Sequence, residues 1–177
     1  MYYLANDDPE VARIIQQEEA RIENTLDLIA AENHAPRSIL EAQGSIFSTK
    51  AAEGYPGRRF HAGCMFADEL ENLAIKRAGH LFDHANLQPH SGVSANLAVY
   101  FSVLDVGDRI LSMKLSHGGH LSHGDPSSVT SHCFKFRHYG LDAQTERIDY
   151  EEVRRFAENF KPHMIIAGAS SYPRLID

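Results

Sequence analysis

The residues best suited by type and spacing to do chemistry lie in two glycine-containing stretches, residues 88–96 and 115–124. In the first, Ser91 and Gly92 directly precede an apolar-periodic segment. This predicts a helix that Ser91 caps and whose backbone Gly92 leaves open to a ligand. The free N–H groups and the dipole at such a helix start suit a phosphate. Many helices start with a Ser-Gly pair and bind nothing, so the phosphate hypothesis depends on the rest of the chain.

The second stretch contains three histidines, His117, His120 and His123, spaced three residues apart. The Gly-Gly pair between the first two disfavours a helix that would hold all three on one face, and the run contains no acidic ligand. No metal site is therefore predicted. We interpret the stretch as a glycine-rich turn after a strand, which places one imidazole flat against a planar ligand. Ser170, at the carboxyl end of the last predicted strand, lies where α/β sheets bind ligands.

A third candidate is Glu53, which precedes a Gly-Tyr-Pro-Gly turn within residues 48–65. That stretch reads as a loop, and it is long for a connection, as functional loops often are. A rigid loop could hold this carboxylate for general acid–base catalysis, whereas the plain alternative is a solvated acid. The neighbouring Arg58 and Arg59 could bind an anion or simply lie on the surface.

The elements that must position these residues follow from periodicity and capping signals. Asp8-Pro9-Glu10 starts a helix of about 20 residues that ends within residues 28–33. Further helices are predicted over residues 36–46, 66–82, 93–104 and from 149 to near 160. The second of these should turn five apolar side chains inward: Leu70, Leu73, Ala74, Leu81 and Phe82. Asp149 with Glu152 forms a capping-box-like start of the last helix. Strands are predicted over residues 109–115, 133–139 and 164–170. Strands that alternate with helices indicate an α/β fold with a mainly parallel sheet and flanking helices.

Composition limits the class of protein. The chain has 177 residues, 43% of them hydrophobic, which fits one globular domain of ordinary size. A net charge of −7 argues against nucleic-acid binding, and no apolar run is long enough for a membrane. The N-terminus lacks the pattern of a signal peptide, and Cys64 and Cys133 form no metal or disulfide motif. We therefore expect a cytoplasmic protein with free thiols.

Five segments together resemble the serine hydroxymethyltransferase family. They match its LIASEN, EGYPG, QPHSG-x-x-AN, HGGHL-x-HG and GAS-x-Y-P motifs in order, at residues 28–33, 53–57, 88–96, 115–124 and 167–173. The resemblance implies a fold-type-I enzyme that uses pyridoxal 5'-phosphate to move a one-carbon unit between serine and tetrahydrofolate. Family members are more than twice as long. Residues 1–34 would then be an N-terminal helical arm for dimer contact, and residues 35–177 the first half of the cofactor-binding large domain, incomplete in this chain.

The resemblance also assigns roles to the candidate residues. Ser91 and Gly92 would hold the cofactor phosphate, His120 would stack on the pyridine ring, and Ser170 would contact the phenolic oxygen. Glu53 would be the acid–base carboxylate near the substrate hydroxyl and the incoming folate. Three further residues match folate-contacting positions of the family: Leu115, Gly119 and Leu121.

This sequence departs from the family at three positions that line its active site. Ala31 replaces the LIASEN serine that contacts the substrate carboxylate. Ala51 replaces a tyrosine that reaches the partner's cofactor phosphate, and His61 replaces a second tyrosine. Each change removes a specific hydroxyl group, which indicates an altered choice of substrate or a weakened activity.

In the family, the Schiff-base lysine, the aspartate at the cofactor nitrogen and the arginine for the substrate carboxylate all fall beyond Asp177. We therefore expect the isolated chain to be inactive, and to act as a homodimer or with a second chain that carries the C-terminal half. Two alternatives stay open at this point. One is a related aldolase or transaldolase that acts on β-hydroxy amino acids, and the other is a non-catalytic paralogue subunit.

Overall fold

The computed structural model describes residues 2–177, which divide into two compact units at His34 and Ala35. The first unit contains helices α1 (Tyr2–Asp7), which was not predicted, and α2 (Pro9–Asn24). The predicted cap is confirmed, since the Asp8 carboxylate accepts the Val11 N–H at 3.0 Å. Helix α2 ends at Asn24, so its predicted end within residues 28–33 is wrong. The side chains of Asn24 and Thr25 bond the carbonyls of Ala20 and Arg21, each at 2.7 Å, and Thr25 is extended.

The second unit opens with a helix and a small hairpin. Helix α3 (Arg37–Gln43) ends three residues before its predicted limit, because Gly44 caps it through the Leu40 carbonyl. The stretch predicted as a loop contains two short antiparallel strands, β1 (Gly54–Tyr55) and β2 (Arg58–Arg59). Helix α4 (Met65–Ala78) begins after residues 60–64.

The guanidinium of Arg59 fastens this hairpin to α4. It lies 2.7 Å from the Asp68 carboxylate and 2.6 Å from that of Glu71, and it also donates to the carbonyls of Ala52 and Gly54. Its side chain is almost fully buried by these contacts. Arg59 is therefore a structural residue, not one free to bind an anionic ligand.

The predicted inward face of α4 is wrong. Leu70 and Leu73 are about half exposed, and Leu81 and Phe82, which lie beyond the end of the helix, are more exposed still. Within residues 2–177, packing does not cover these apolar side chains. The periodicity correctly predicted a helix but not a buried environment for it.

A parallel three-stranded sheet forms the centre of the second unit. Strand β3 (Arg109–Met113) lies between β4 (Lys135–Tyr139) and β5 (Met164–Ile165), with Ile110 opposite both Phe136 and Met164. The α/β fold with a parallel sheet is thus as predicted. Strand β5 is much shorter than predicted, because the chain turns away after Ile166 donates to the Leu111 carbonyl.

Three helices flank this sheet: α5 (Gly92–Val103), α6 (Val129–Cys133) and α7 (Tyr150–Phe160). Ile110 and Leu111 of β3 are fully buried. Ile110 packs with Tyr100 of α5 and with Phe134. Leu111 belongs to a second cluster, against which Val153 and Phe156 of α7 pack. The core thus lies on both faces of β3 and fixes the carboxyl end of that strand. None of the helices described over residues 2–177 is both long and apolar enough to cross a membrane.

Candidate active site

The start of α5 is built as an open helix N-terminus. Ser91 accepts the Ser94 N–H at 3.2 Å, and the Ser94 hydroxyl accepts the Ser91 N–H at 2.9 Å, so the two residues cap each other. The predicted cap is confirmed. Ser91 and Gly92 are both exposed, and a Cβ added at Gly92 would meet nothing within 4 Å. The first N–H groups of a helix lack intrahelical partners, so this end offers donors and room to an anion.

The glycine-rich stretch after β3 forms two 3₁₀ turns, Leu115–His117 and Leu121–His123, joined through Gly118 and Gly119. It is the turn after a strand that the sequence predicted. The Gly119 N–H donates to the Lys114 carbonyl at 2.9 Å, and a Cβ at Gly119 would overlap the Met113 carbonyl oxygen. Only glycine fits there.

This turn also brings Ser170 to the site. The Ser170 N–H donates to the Gly118 carbonyl at 2.8 Å, and the Ser171 N–H to the same oxygen at 3.1 Å. The loops after β3 and β5 therefore meet at Gly118, at the carboxyl edge of the sheet where α/β proteins bind ligands. Ser170 itself is exposed.

His120 is held by groups that sequence reasoning did not assign. Its Nδ1 accepts the Ser122 N–H at 3.1 Å and lies 2.8 Å from the Ser122 hydroxyl. Asn96 of α5 donates to that hydroxyl at 2.7 Å, and the Tyr100 hydroxyl donates to the Ser122 carbonyl at 3.1 Å. A buried serine thus connects the imidazole to the helix that Ser91 caps. Nothing local in the sequence pairs Asn96 with Ser122.

A cavity of about 300 Å³ lies beside His120, lined also by Lys114, His123, Asp125 and His138. His123 is only 8% exposed, and its Nδ1 is buried without a hydrogen-bond partner among the described residues. Burial, with smaller effects of the nearby His120 and His138, lowers the pKa of His123. Burial likewise lowers the pKa of His138. The wall of the cavity is therefore polar but uncharged at these two positions near neutral pH.

Glu53 and His61 lie together in the hairpin region. Their carboxylate and imidazole are 3.6 Å apart, and both side chains are largely exposed. The Phe60 N–H donates to the Glu53 carbonyl at 3.0 Å, and the Cys64 thiol lies 3.2 Å from the His61 carbonyl, so the backbone of both residues is fixed.

The hairpin is tied to the segment that leads into α5. The amide of Gln88, three residues before Ser91, donates to the Gly54 carbonyl at 2.8 Å and to Glu71 at 2.9 Å. Over residues 2–177, hydrogen bonds and ion pairs do not join Glu53 directly to His120. The structure thus assembles two groups of candidate residues, linked by the chain around Gln88.

The remaining predicted residues differ in their surroundings. The side chains of Leu115 and Leu121 are about half exposed beside the turn, whereas Gly119 is buried. Ala31 belongs to the first unit, where it is exposed in a turn closed by the Glu32 N–H and the Ile29 carbonyl at 3.0 Å. Groups of three metal-binding side chains with suitable geometry are absent from the described part of the chain.

The fold and the site define an α/β protein whose polar site lies at the carboxyl ends of parallel strands. The family model for serine hydroxymethyltransferase matches residues 4–177, and the chain belongs to that family. A serine hydroxymethyltransferase from Dehalococcoides mccartyi is 51% identical over the whole chain, which corresponds to 43% of that protein. One from Halorubrum lacusprofundi is 54% identical over 96% of the chain and 41% of its own length. The resemblance read from the motifs is confirmed, and the chain spans about two fifths of these relatives.

Proposed function

We propose that this chain supplies the N-terminal part of a serine hydroxymethyltransferase active site. That active site interconverts serine and glycine with tetrahydrofolate as the one-carbon carrier and pyridoxal 5'-phosphate as the cofactor. The observation that carries the proposal is the glycine-rich turn after β3. It presents His120 beside a polar cavity and is hydrogen-bonded both to α5 and to the loop of Ser170.

The residues present fit the cofactor. Ser91 and Gly92 offer an exposed helix start with open space above Gly92, as a phosphate requires. The half-buried imidazole of His120 would lie against the pyridine ring, and the Ser170 side chain would contact the phenolic oxygen. When bound, pyridoxal phosphate supplies an electron sink for carbanion chemistry at the amino acid.

Glu53 would move a proton at the substrate hydroxyl and at the incoming folate. Its carboxylate is exposed and fixed at its backbone, so it is accessible to a substrate without refolding of the loop. Leu115, Gly119 and Leu121 would contact the folate, the two leucines through exposed side chains and Gly119 through its backbone. Ala31 and His61 would alter how the substrate is held, and Ala51 how the partner's cofactor phosphate is held, since each lacks a hydroxyl found in the family.

The family's lysine, aspartate and arginine would come from sequence that corresponds to the part of the relatives that the chain does not span. A chain that carries this C-terminal half could supply them, whereas a second copy in a homodimer would contact the helical first unit as an arm. Alone, the chain would bind the cofactor without turning over substrate.

A chimera tests the function. The chain is joined after Asp177 to the remaining C-terminal sequence of the Dehalococcoides mccartyi relative, and glycine formation from serine is measured with and without tetrahydrofolate. We expect folate-dependent turnover that falls by about a hundredfold or more in the Glu53→Gln variant. A folded, cofactor-bound chimera that cleaves only larger β-hydroxy amino acids without folate would point to an aldolase instead. One that turns over neither substrate would refute the proposal.

A further inference from the structure

We propose that Asn96 and Ser122 are positioning residues that lock His120 as a neutral imidazole with its proton on Nε2, and that they couple its ring to the helix capped by Ser91. The inference rests on the proposed function for its catalytic meaning. The geometric basis of the inference is independent of any ligand, because Asn96, Ser122 and His120 are joined by hydrogen bonds within the chain.

The proton assignment follows from donor chemistry. The Ser122 backbone N–H can only donate, so the Nδ1 atom that it meets at 3.1 Å must be unprotonated. The Ser122 hydroxyl, 2.8 Å from the same nitrogen, then directs its hydrogen to Nδ1 and keeps only its lone pairs. Those lone pairs accept the Asn96 side-chain N–H at 2.7 Å. Every group in the set has one consistent role, and the imidazole proton is left on Nε2.

The surroundings make this arrangement rigid. Ser122 is fully buried, and its carbonyl accepts a hydrogen bond from the Tyr100 hydroxyl. Burial raises the pKa of Tyr100 to about 12, so this hydroxyl stays protonated and can donate. The ring of His123 packs edge-on against His120, with 5.8 Å between the centroids. Because burial lowers the pKa of His123, that imidazole adds no positive charge beside His120 near neutral pH.

The coupling gives Asn96 and Ser122 a role in the proposed site. Asn96 lies on α5, about one turn after Gly92, whereas Ser122 belongs to the turn that carries His120. The hydrogen bond between them, together with that of the Tyr100 hydroxyl to the Ser122 carbonyl, sets the distance from the helix start to the imidazole. A planar cofactor with a phosphate at one end would need that distance to be fixed. Neither Asn96 nor Ser122 would need to touch the cofactor.

The test begins with the cofactor-free chain of 177 residues, labelled with ¹⁵N-histidine and assigned with His120→Gln. Long-range ¹H–¹⁵N spectra at mildly alkaline pH report the protonation of each ring nitrogen. We expect Nδ1 of His120 to be fully unprotonated in the wild type. In Ser122→Ala the longer backbone N–H contact remains as the donor to Nδ1, so the ¹⁵N shift should move part of the way toward the averaged value of a free imidazole, and in the same direction but less in Asn96→Ala. Ser122→Thr, which keeps the hydroxyl, should retain the wild-type shift.

Titration with pyridoxal 5'-phosphate then measures the consequence. Ser122→Ala should weaken binding about fivefold, the typical effect of one lost hydrogen bond, and Ser122→Thr by less than about twofold. Ser102→Ala on α5 is the matched control, since that hydroxyl donates to the Val99 carbonyl of its own helix. Circular dichroism confirms that each variant folds, and Asn96→Ala carries the test if Ser122→Ala does not.

The inference is overturned if Nδ1 is protonated in the wild type, or if Ser122→Ala and Asn96→Ala both leave the His120 shifts unchanged. Absence of cofactor binding by the wild-type chain would count against the proposed function alone, since the spectra are recorded without cofactor. The two proposals can therefore fail separately.

Discussion

Alanine at Gly119 and alanine at Gly92 should change stability in opposite directions, although the family resemblance places both glycines against a ligand. At Gly119 the new Cβ would overlap the Met113 carbonyl oxygen and lie 2.8 Å from that of Lys114. The turn must open, which also strains the 2.9 Å bond from the Gly119 N–H to Lys114. Overpacking of this kind costs about 1–3 kcal/mol, and the hydrogen bond about 1 kcal/mol more. We expect a loss of about 2–4 kcal/mol.

At Gly92 the added methyl group meets open space, and the residue is the first of α5. Alanine there should gain between about 0 and 1 kcal/mol, because glycine loses more backbone entropy in a helix. It should nevertheless weaken pyridoxal phosphate binding, because the methyl group would occupy the space that the proposed function assigns to the phosphate.

Urea unfolding with linear extrapolation measures both changes, provided the slope m is the same in all three proteins. The reasoning is refuted if Gly119→Ala unfolds at the wild-type urea concentration, or if Gly92→Ala is destabilised as strongly as Gly119→Ala. The first result would mean that the turn around Gly119 adapts freely. The second would mean that Gly92 has a packing role that the structure does not show.

Three further predictions use the same unfolding assay or the chimera. Tyr100→Phe removes the hydrogen bond to the Ser122 carbonyl and should lower the unfolding free energy by about 1 kcal/mol; an unchanged urea midpoint would contradict it. Because burial lowers the pKa of His123 and His138, the unfolded chain binds more protons below the ordinary histidine pKa of 6.5. Stability should therefore fall as the pH drops through 6.5, and replacing both by asparagine should flatten that slope. In the chimera, His61→Tyr restores the family's hydroxyl group and should lower the KM for serine, whereas an unchanged KM would separate this position from substrate binding.

Local chemistry made several elements predictable. Asp8, Ser91 and Asp149 each cap a helix by accepting the backbone N–H of the residue three positions later, so a short stretch of sequence is enough to predict them. All three caps occur in the structure. The parallel sheet followed from apolar segments that alternate with helices. Gly118 and Gly119 correctly predicted a turn, because the pair interrupts both helix and strand periodicity.

Long-range contacts made the rest unpredictable. Arg59 read as a surface or anion-binding residue because Asp68 and Glu71, which bury it, lie on a helix nine and twelve residues away. Strand β5 ended early because Ser170 turns to the Gly118 carbonyl, a contact across more than fifty residues. The link between Asn96 and Ser122 spans 26 residues and involves two residue types common in turns. Such pairings depend on the assembled sheet and have no periodic signal.

The structure separates two kinds of residue within the motif at 115–124. Gly119 and Ser122 are buried and maintain the turn, whereas Leu115 and Leu121 are half exposed and free to meet a ligand. A change in the buried pair would alter the turn itself and with it the position of His120. Altered substrate choice is therefore better sought at exposed positions outside the turn, and all three departures from the family, Ala31, Ala51 and His61, are exposed. Because those changes leave the turn and the helix cap intact, we expect Ala31 and His61 to modify how a substrate is held, and Ala51 to remove one phosphate contact, without disturbing the proposed cofactor site on this chain.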